Sequence, residues 1–263
     1  MCGFCGFTGK IDGGEHVIKN MAARIAHRGP DGEGYFSDDF ITMGFRRLSF
    51  LDLDHGGQPM TSPSGRYTIV FNGEIYNFRD LQEEMAGHSF KTCSDTEVLL
   101  HLYELHGEGM LQRLRGMFAF VIYDNQEGEV FAARDFFGIK PFYYGLFNNN
   151  LLFASEIKAF LDHPHFVKEL NHSALEHYLF YQYSAMDECF FKGVYKLPPA
   201  HFMRYKGGKL TVTRYWQGDF APVKQPINNI VADIDDAIKE SVRYHQVADV
   251  PIGAFLSSGA MSV

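Results

Sequence analysis

Basic charge and long apolar runs are both scarce in this 263-residue sequence. Its 32 acidic residues outnumber the 24 basic ones, and the net charge of −8 argues against binding nucleic acid by neutralising phosphates. No run approaches the about 18 apolar residues of a membrane-spanning helix, and the N-terminus lacks the basic and apolar segments of a secretory signal. We therefore predict a cytoplasmic protein with no membrane or nucleic-acid partner.

Cysteine is also rare, with four residues at Cys2, Cys5, Cys93 and Cys189. They are too few and too scattered for the disulfide framework of a small secreted protein, so free thiols are expected. Cys2 and Cys5 form a Cys-x-x-Cys pair, but no second pair follows at the spacing of a zinc site. We therefore expect no metal site. The 46% hydrophobic and 15% aromatic residues are sufficient for a globular core.

Short runs of β-branched and aromatic residues, separated by turn residues, predict strands in antiparallel pairs. Helical spacing predicts a helix over 15–27, and Ser94-Asp95-Thr96-Glu97 has the capping-box pattern of a second helix. The predicted strands cover 3–8, 67–71, 118–123, 130–133, 142–147 and 151–153. Helices that fall between groups of strands favour an α+β fold of mainly antiparallel sheets covered by helices.

A polar stretch with two prolines follows Trp216 and predicts a domain boundary. We assign residues 1–216 to a first domain, and 217–263 to a linker and the beginning of a second, α/β domain. The spacing predicts a helix over 230–244, and the apolar run 250–256 predicts a strand. Because one helix and one strand cannot form a domain alone, the chain is expected to be a truncated piece of a longer protein.

Cys2 directly follows the initiator methionine, so removal of Met1 places its thiol beside a free α-amine. An α-amine has an ordinary pKa of about 7.7–8.0 and can accept the thiol proton near neutral pH. Cys2 is then a candidate nucleophile with its own base. A small residue packed at the terminus explains the same position equally well, since free cysteine often packs in this way.

Short motifs along the whole chain resolve this ambiguity. The first five are Met1-Cys2-Gly3, His27-Arg28-Gly29-Pro30-Asp31, Arg47-Leu48-Ser49, Phe71-Asn72-Gly73-Glu74-Ile75-Tyr76-Asn77 and Ser94-Asp95-Thr96-Glu97. In this order they resemble class II glutamine amidotransferases. Four further motifs resemble the glutamine-dependent asparagine synthetase branch: 115–120, Arg134-Asp135-x-x-Gly138-x-Lys140-Pro141, 153–158 and Leu197-Pro198-Pro199. The resemblance implies an N-terminal-nucleophile hydrolase fold, a four-layer α/β/β/α sandwich.

The resemblance also implies catalytic roles for three residues. Cys2 is the expected nucleophile, and Asn72 and Gly73 match the oxyanion hole that donates N–H groups to the tetrahedral intermediate. Asn-Gly is also the commonest two-residue hairpin turn, and a tight turn would present its N–H groups outward, so both interpretations can hold. Ala200 stands where this branch often has glycine after the two prolines.

Three charged residues match the positions that bind the substrate glutamine. Arg47 is expected to bind the α-carboxylate with its planar guanidinium, whereas the neighbouring Arg46 is expected to face solvent. Glu74 and Asp95 are expected to hold the α-ammonium. For Asp95, a place at the start of a helix would favour an acidic residue in any case.

The implied reaction is hydrolysis of glutamine to glutamate and ammonia through a Cys2 thioester, which needs no cofactor. In the family, the ammonia passes through an internal channel to a synthetase domain, where ATP and Mg²⁺ serve asparagine synthesis. Residues 255–263 resemble the ATP loop of that domain, but Met261 replaces its aspartate, so we expect no asparagine synthesis by this polypeptide alone. Alternatives are another acceptor, such as a β-lactam-forming or peptide-modifying synthetase, and a degenerate non-catalytic fragment. A homodimer is left open.

Overall fold

Twelve strands and five α-helices occur in the computed structural model, which describes residues 1–85, 87–183 and 186–254. The strands are β1 (Gly3–Thr8), β2 (Gly32–Ser37), β3 (Ile41–Arg47), β4 (Met60–Thr61), β5 (Tyr67–Ile75), β6 (Gly116–Asp124), β7 (Glu129–Arg134), β8 (Tyr143–Phe147), β9 (Asn150–Ala154), β10 (Val194–Lys196), β11 (His201–Lys206) and β12 (Lys209–Arg214). The helices are α1 (Gly14–Arg24), α2 (Phe78–Glu84), α3 (Asp95–His106), α4 (His172–Tyr181) and α5 (Ile227–Tyr244). Short 3-10 helices cover Ala26–Arg28, Gly107–Arg113 and Ile157–Asp162.

The strands form two antiparallel sheets that face each other. The first sheet has the order β10-β8-β9-β1-β3-β2, and the second has the order β12-β11-β7-β6-β5-β4. Helix α1 and the 3-10 helix Ile157–Asp162 cover the outer face of the first sheet, while α2 and α3 cover the second. A third cluster of buried residues fills the space between the sheets, and we call it the inter-sheet core. The predicted α+β sandwich of four layers is confirmed.

Strand β1 presents its two faces to different layers. Phe4 lies in the inter-sheet core, whereas Cys5 lies in the cluster beneath α1. Because side chains alternate across a strand, Cys2 shares the face of Phe4, and it packs against the end of the inter-sheet core. Cys2 and Cys5 therefore point to opposite faces of the sheet.

Strand β5 shows the same alternation from the opposite sheet. Val70 lies in the inter-sheet core and Phe71 lies beneath α3. By this alternation Asn72 and Glu74 continue the inter-sheet face of Val70. The proposed nucleophile and two of the proposed site residues therefore belong to one layer, although 70 or more positions separate them along the chain.

Helix α3 begins as the capping pattern predicts, but only half of the capping box forms. The Oγ of Ser94 accepts a hydrogen bond from the Glu97 N–H at 3.4 Å. The Glu97 carboxylate does not return to Ser94; it accepts from the N–H groups of Lys91 at 2.9 Å and Thr92 at 2.7 Å. The Ser94 N–H donates to Thr92 Oγ1 at 3.2 Å. The acidic side chain thus fixes the loop before the helix rather than the cap itself.

The region after Trp216 follows its prediction in part. Residues 217–226 contain no helix or strand, and the predicted helix is present as α5. The strand predicted from 250 does not form over 250–254, and residues 255–263, including Met261, lie outside the described part of the chain. Whether 217 begins a second domain stays a prediction.

Candidate active site

Cys2 is half-buried at the end of the inter-sheet core, immediately before β1. Its Sγ accepts a hydrogen bond from the Leu48 N–H at 3.4 Å, and its S–H faces the Leu48 carbonyl oxygen at 3.6 Å. Burial raises the pKa of the thiol, while the contact with Leu48, the nearby α-ammonium and Arg47 act in the opposite direction. Because a cysteine reacts as its thiolate, a nucleophilic role for Cys2 would depend on these neighbours.

Two of the motifs hold the start of β1 in place. The Ser155 N–H donates to the Phe4 carbonyl oxygen at 2.9 Å, and Ser155 Oγ accepts from the Phe4 N–H at 3.1 Å. Arg28 Nε donates to the Cys2 carbonyl oxygen at 2.9 Å, and Arg28 Nη1 forms an ion pair with Glu156 Oε1 at 3.0 Å. The backbone around Cys2 is therefore anchored by side chains 26 and 151 positions away in the sequence.

Asn72 and Gly73 lie inside β5, opposite Ala119 and Phe118 of β6. The interpretation of this pair as a hairpin turn is therefore wrong. Asn72 is 1% exposed, and its Nδ2 has no hydrogen-bond partner among the described residues. A buried N–H group without a partner is uncommon, and a developing oxyanion is the kind of acceptor that would satisfy it. At Gly73 an added Cβ would lie 2.3 Å from the Met117 carbonyl oxygen, so only glycine fits.

The carboxyl groups of the half-buried Glu74 and the buried Asp95 lie within electrostatic reach of each other, and their role in binding an ammonium stays a prediction. Burial, followed by repulsion from Asp95, raises the pKa of Glu74 to about 9, while Lys140 and the α-ammonium act against this shift. Burial also raises the pKa of Asp95 to about 7, although its carboxylate accepts the Ile75 N–H at 3.0 Å. Since a cation placed between two such groups relieves their repulsion, the pair is suited to binding an ammonium.

Arg47 ends β3 and turns its guanidinium into the loop that follows. Nη1 donates to the Leu53 carbonyl oxygen at 2.9 Å, and Nη2 donates to the Leu51 carbonyl oxygen at 3.2 Å and to that of Asp52. These contacts hold loop 51–53 against the strand. Arg47 also acts to lower the pKa of Cys2, so the guanidinium lies within electrostatic reach of this thiol. Its role in binding a carboxylate stays a prediction.

The expectation that Arg46 faces solvent is wrong. Its side chain is only 18% exposed, and Nη1 forms an ion pair with Glu33 Oε2 at 2.5 Å. Nε donates to the Ala22 carbonyl oxygen at 3.2 Å, which ties β3 to the end of α1. Arg46 and Arg47 therefore point to opposite faces of the sheet, and only Arg47 is directed toward the site.

A pocket of about 210 Å³ has Glu74 in its wall. Met117 also lines it, and the segment 245–252 after α5 forms the other side. Asp249 fastens this segment, because its N–H donates to the Phe50 carbonyl oxygen at 3.0 Å. The pocket beside Glu74 is consequently built from both sides of the predicted boundary at 217.

Lys140 is a further charged member of the site, although the sequence suggests no role for it. It is 3% exposed, and its ammonium donates to the Met1 thioether sulfur at 3.1 Å. Arg28 and Glu156 likewise have structural contacts at the site that the sequence does not reveal. All three residues lie inside motifs named above, and only their place in these motifs could have identified them from the sequence. Hydrophobic periodicity carries no information on buried charges.

The site combines Cys2, Arg47 and the Glu74–Asp95 pair around one end of the inter-sheet core, with Asn72 on the same face. Across residues 1–85, 87–183 and 186–254, no three His, Cys, Asp or Glu side chains are grouped as metal ligands. The segment that resembles an ATP loop lies outside these residues, so the roles of ATP and Mg²⁺ stay predictions. None of the described helices has the length and apolar character needed to span a membrane.

Two facing antiparallel sheets between helical layers, with a cysteine at the head of a central strand, define the N-terminal-nucleophile hydrolase class. Residues 1–216 match the family model of the glutamine amidotransferase domain, and the chain belongs to this family. The family consists of enzymes, and the resemblance to class II glutamine amidotransferases is confirmed.

Curated relatives agree with the asparagine synthetase branch. Asparagine synthetase [glutamine-hydrolyzing] 1 of Bacillus subtilis is 41% identical over 267 residues, covering 98% of this chain and 42% of that protein. Asparagine synthetase [glutamine-hydrolyzing] 3 of the same organism is 35% identical, covering 97% of this chain and 43% of that protein. The chain thus spans less than half the length of these relatives.

Solved structures share the fold at low sequence identity. The glutamine phosphoribosylpyrophosphate amidotransferase of B. subtilis matches with a TM-score of 0.60 and 19% identity, over 82% of this chain and 50% of that chain. An allosteric regulatory enzyme of purine biosynthesis matches with a TM-score of 0.61 and 20% identity, over 82% of this chain and 50% of that chain. These likenesses support the sandwich fold.

Proposed function

We propose that this chain hydrolyses glutamine to glutamate and ammonia through a thioester on Cys2. The observation that carries the proposal is the grouping of a half-buried cysteine with opposite charges and a buried amide donor at one end of the inter-sheet core. This grouping has the parts that amide hydrolysis by an N-terminal cysteine requires: a nucleophile, an oxyanion donor and charged groups for a zwitterionic substrate.

Substrate selection follows from the placement of charge. Arg47 binds the α-carboxylate of glutamine with its planar guanidinium, after exchanging part of its contact with loop 51–53. Glu74 and Asp95 bind the α-ammonium, which stabilises their ionised forms against burial and mutual repulsion. Opposite charges at the two ends select an amino acid, and the side-chain amide then extends toward Cys2.

The chemical steps use Cys2 once Met1 has been removed. The α-amine takes the thiol proton, the sulfur attacks the amide carbon, and Asn72 Nδ2 and the Gly73 N–H donate to the resulting oxyanion. The α-ammonium returns its proton to the amide nitrogen, so ammonia leaves and a thioester forms. Water then gives one proton to the α-amine and attacks the thioester, releasing glutamate and restoring the thiol. No cofactor takes part in this half-reaction.

The acceptor of the ammonia is proposed to be aspartate in a synthetase domain of the full-length protein. The two B. subtilis relatives are named as glutamine-hydrolysing asparagine synthetases and are more than twice as long as this chain. In such a protein, ATP and Mg²⁺ would act in the synthetase domain, and ammonia would travel to it from Cys2. This chain then supplies the ammonia-producing half.

The test is glutamate release combined with covalent labelling. The chain is prepared with Cys2 as its first residue, verified by intact mass, and treated with a diazo-ketone analogue of glutamine. We expect one adduct, mapped to Cys2, together with release of glutamate from glutamine. Cys2→Ala should lose essentially all hydrolysis while remaining folded, whereas substitution of the exposed Cys93 by alanine should leave activity unchanged. A processed chain that gives neither adduct nor glutamate would contradict the proposal.

A further inference from the structure

Lys140 is a buried cation with little to balance it. It is 3% exposed, and within the described chain its ammonium makes one hydrogen bond, to the Met1 thioether at 3.1 Å. A thioether is a weak, uncharged acceptor, so it compensates poorly for removing an ammonium from water. Removal of Met1 also removes this acceptor. A packing role alone does not explain why lysine occupies this position.

The loop that presents Lys140 is held by two buried side chains. The Asp135 carboxylate accepts the N–H groups of Ile139 and Lys140, each at 2.9 Å. The Arg134 guanidinium donates to the Lys140 carbonyl oxygen at 2.7 Å and to the Leu197 carbonyl oxygen at 2.6 Å. Asp135 and Arg134 are only 1% and 6% exposed. The position of Lys140 is therefore determined by buried hydrogen bonds, not by a mobile surface loop.

Lys140 faces charged groups that come from several elements. With Met1 in place, its positive charge lowers the pKa of the Met1 α-amine, where burial has the largest effect, and it opposes the raised pKa of Glu74. Burial lowers the pKa of Lys140 itself, against the effects of Glu74 and Cys2. The other charged groups in this network are Arg28, Asp31, Arg47, Asp95 and Asp135.

In its reactive form, Cys2 has lost one of the two acidic protons carried by its thiol and its α-ammonium. With both groups protonated, the pair has neither a nucleophile nor a base, so it must lose one proton before attack. A fixed positive charge favours this loss from either group, because it stabilises a thiolate and destabilises an ammonium. The two groups titrate as a pair, so the effect belongs to their joint first deprotonation.

We infer that Lys140 is a positioning residue that promotes the first deprotonation of the Cys2 thiol–amine pair and thereby determines the lower pH limit of its reactivity. The same charge favours the ionised form of Glu74, which the substrate ammonium requires, against the effect of burial. The Arg134-Asp135-x-x-Gly138-x-Lys140 motif is then a device that holds a cation beside the nucleophile. This inference rests on the proposed glutaminase function and assigns a residue that regulates its protonation.

The test measures alkylation of Cys2 by iodoacetamide, followed at the peptide level by mass spectrometry between about pH 5 and 9. The protein carries Cys2 as its first residue, and the variants are Lys140→Met, Lys140→Arg and, as a matched control, Lys168→Met at an exposed position. We expect Lys140→Met to move the midpoint upward by about one pH unit. Lys140→Arg and Lys168→Met should stay near the unaltered chain.

Coincident profiles for Lys140→Met and the unaltered chain would overturn the inference, as would an equal shift in Lys140→Arg. Lys140→Gln provides a second uncharged side chain if Lys140→Met does not fold, which thermal unfolding reports. Alkylation requires no glutamine, so a shifted profile in a chain that hydrolyses no glutamine would refute the glutaminase and keep the role of Lys140. Glutamine hydrolysis with an unshifted alkylation profile would refute the role of Lys140 and keep the glutaminase.

Discussion

The space between the two sheets is apolar along most of its length and charged at one end. Residues such as Val121, Phe153 and Met203 are completely buried in the apolar part, where each contributes favourably to folding. The other end contains the buried Lys140 and the half-buried Glu74, whose ionised forms are disfavoured by burial. One layer thus contains a region that stabilises the fold and a region whose chemistry works against stability.

The largest expected effect is on the apolar region. Met203→Ala in β11 should lower the free energy of unfolding by about 2–5 kcal/mol, because it leaves a cavity in the inter-sheet core. Urea unfolding measures the loss. Since β11 is three strands away from β5 in its sheet, the alkylation rate of Cys2 should be unchanged below the transition. A large change in that rate would show that the two regions are not separable.

A variant at the charged end should lower activity and leave stability nearly unchanged. Asn72→Ala removes the amide donor and should lower kcat for glutamine hydrolysis by about 10²–10³-fold, since this N–H group is expected to act in the transition state. The amide has no partner for its Nδ2 in the described chain, so the free energy of unfolding should change little. Steady-state kinetics and urea unfolding on one sample check both. Unchanged kcat would remove Asn72 from the oxyanion hole.

The ionisation of Glu74 should make stability depend on pH. Burial raises its pKa from the ordinary 4.5 to about 9, so the folded chain binds this proton more tightly than the unfolded chain. The contribution favours folding at low pH and is lost as pH rises through this window. In the ligand-free protein, the Tm of Glu74→Gln minus that of the unaltered chain should therefore be larger at pH 8 than at pH 5. Both pH values lie between the ordinary pKa of 4.5 and the raised value of about 9.

Glu83→Gln at an exposed position is the matched control for this pH dependence, and its Tm should follow that of the unaltered chain at both pH values. Asp95, whose pKa burial raises to about 7, adds a contribution of the same sign that persists in both variants. If the Tm difference between Glu74→Gln and the unaltered chain is the same at pH 5 and pH 8, folding does not raise the pKa of Glu74.

The smallest expected effect concerns Ala200, which has φ of 58° in the left-handed region. Ala200→Gly should raise the free energy of unfolding by up to about 1 kcal/mol, because glycine adopts this conformation without Cβ strain. Ala174→Gly within α4 is the matched control and should be destabilising by at least about 0.5 kcal/mol. Equal signs for the two substitutions would show that backbone strain at Ala200 is negligible.

Much of the fold was predictable because it depends on local patterns. Strand β1, the helix α1 predicted from apolar spacing and the Ser94 cap all appear at the predicted places. The turn interpretation of Asn72-Gly73, one of the two left open, failed because turn propensity is local, whereas pairing with β6 holds these residues in an extended strand. Residues 250–254 have an apolar strand-like pattern but no neighbouring strand to pair with among the described residues.

The candidate site divides in a similar way. The motif resemblance predicted roles for Cys2, Arg47, Asn72, Gly73, Glu74 and Asp95, and the structure brings them around one end of the inter-sheet core. The resemblance offered no role for Arg28, Lys140 or Glu156. The Arg28–Glu156 ion pair joins positions more than 100 residues apart, and Lys140 reaches the N-terminus from a distant loop. Such pairings depend on the register and packing of both sheets, which no local pattern specifies.

The sequence by itself determined the family and much of the strand and helix pattern, and it predicted Cys2 as the nucleophile, because local spacing and short motifs carry this information. The tertiary structure decided which charges are buried together and which polar atoms lack partners. The physical reason is that desolvation and electrostatic coupling depend on distances in space and on the exclusion of water. These quantities exist only after β1 and β5 face each other and the loop 135–140 closes beside the N-terminus.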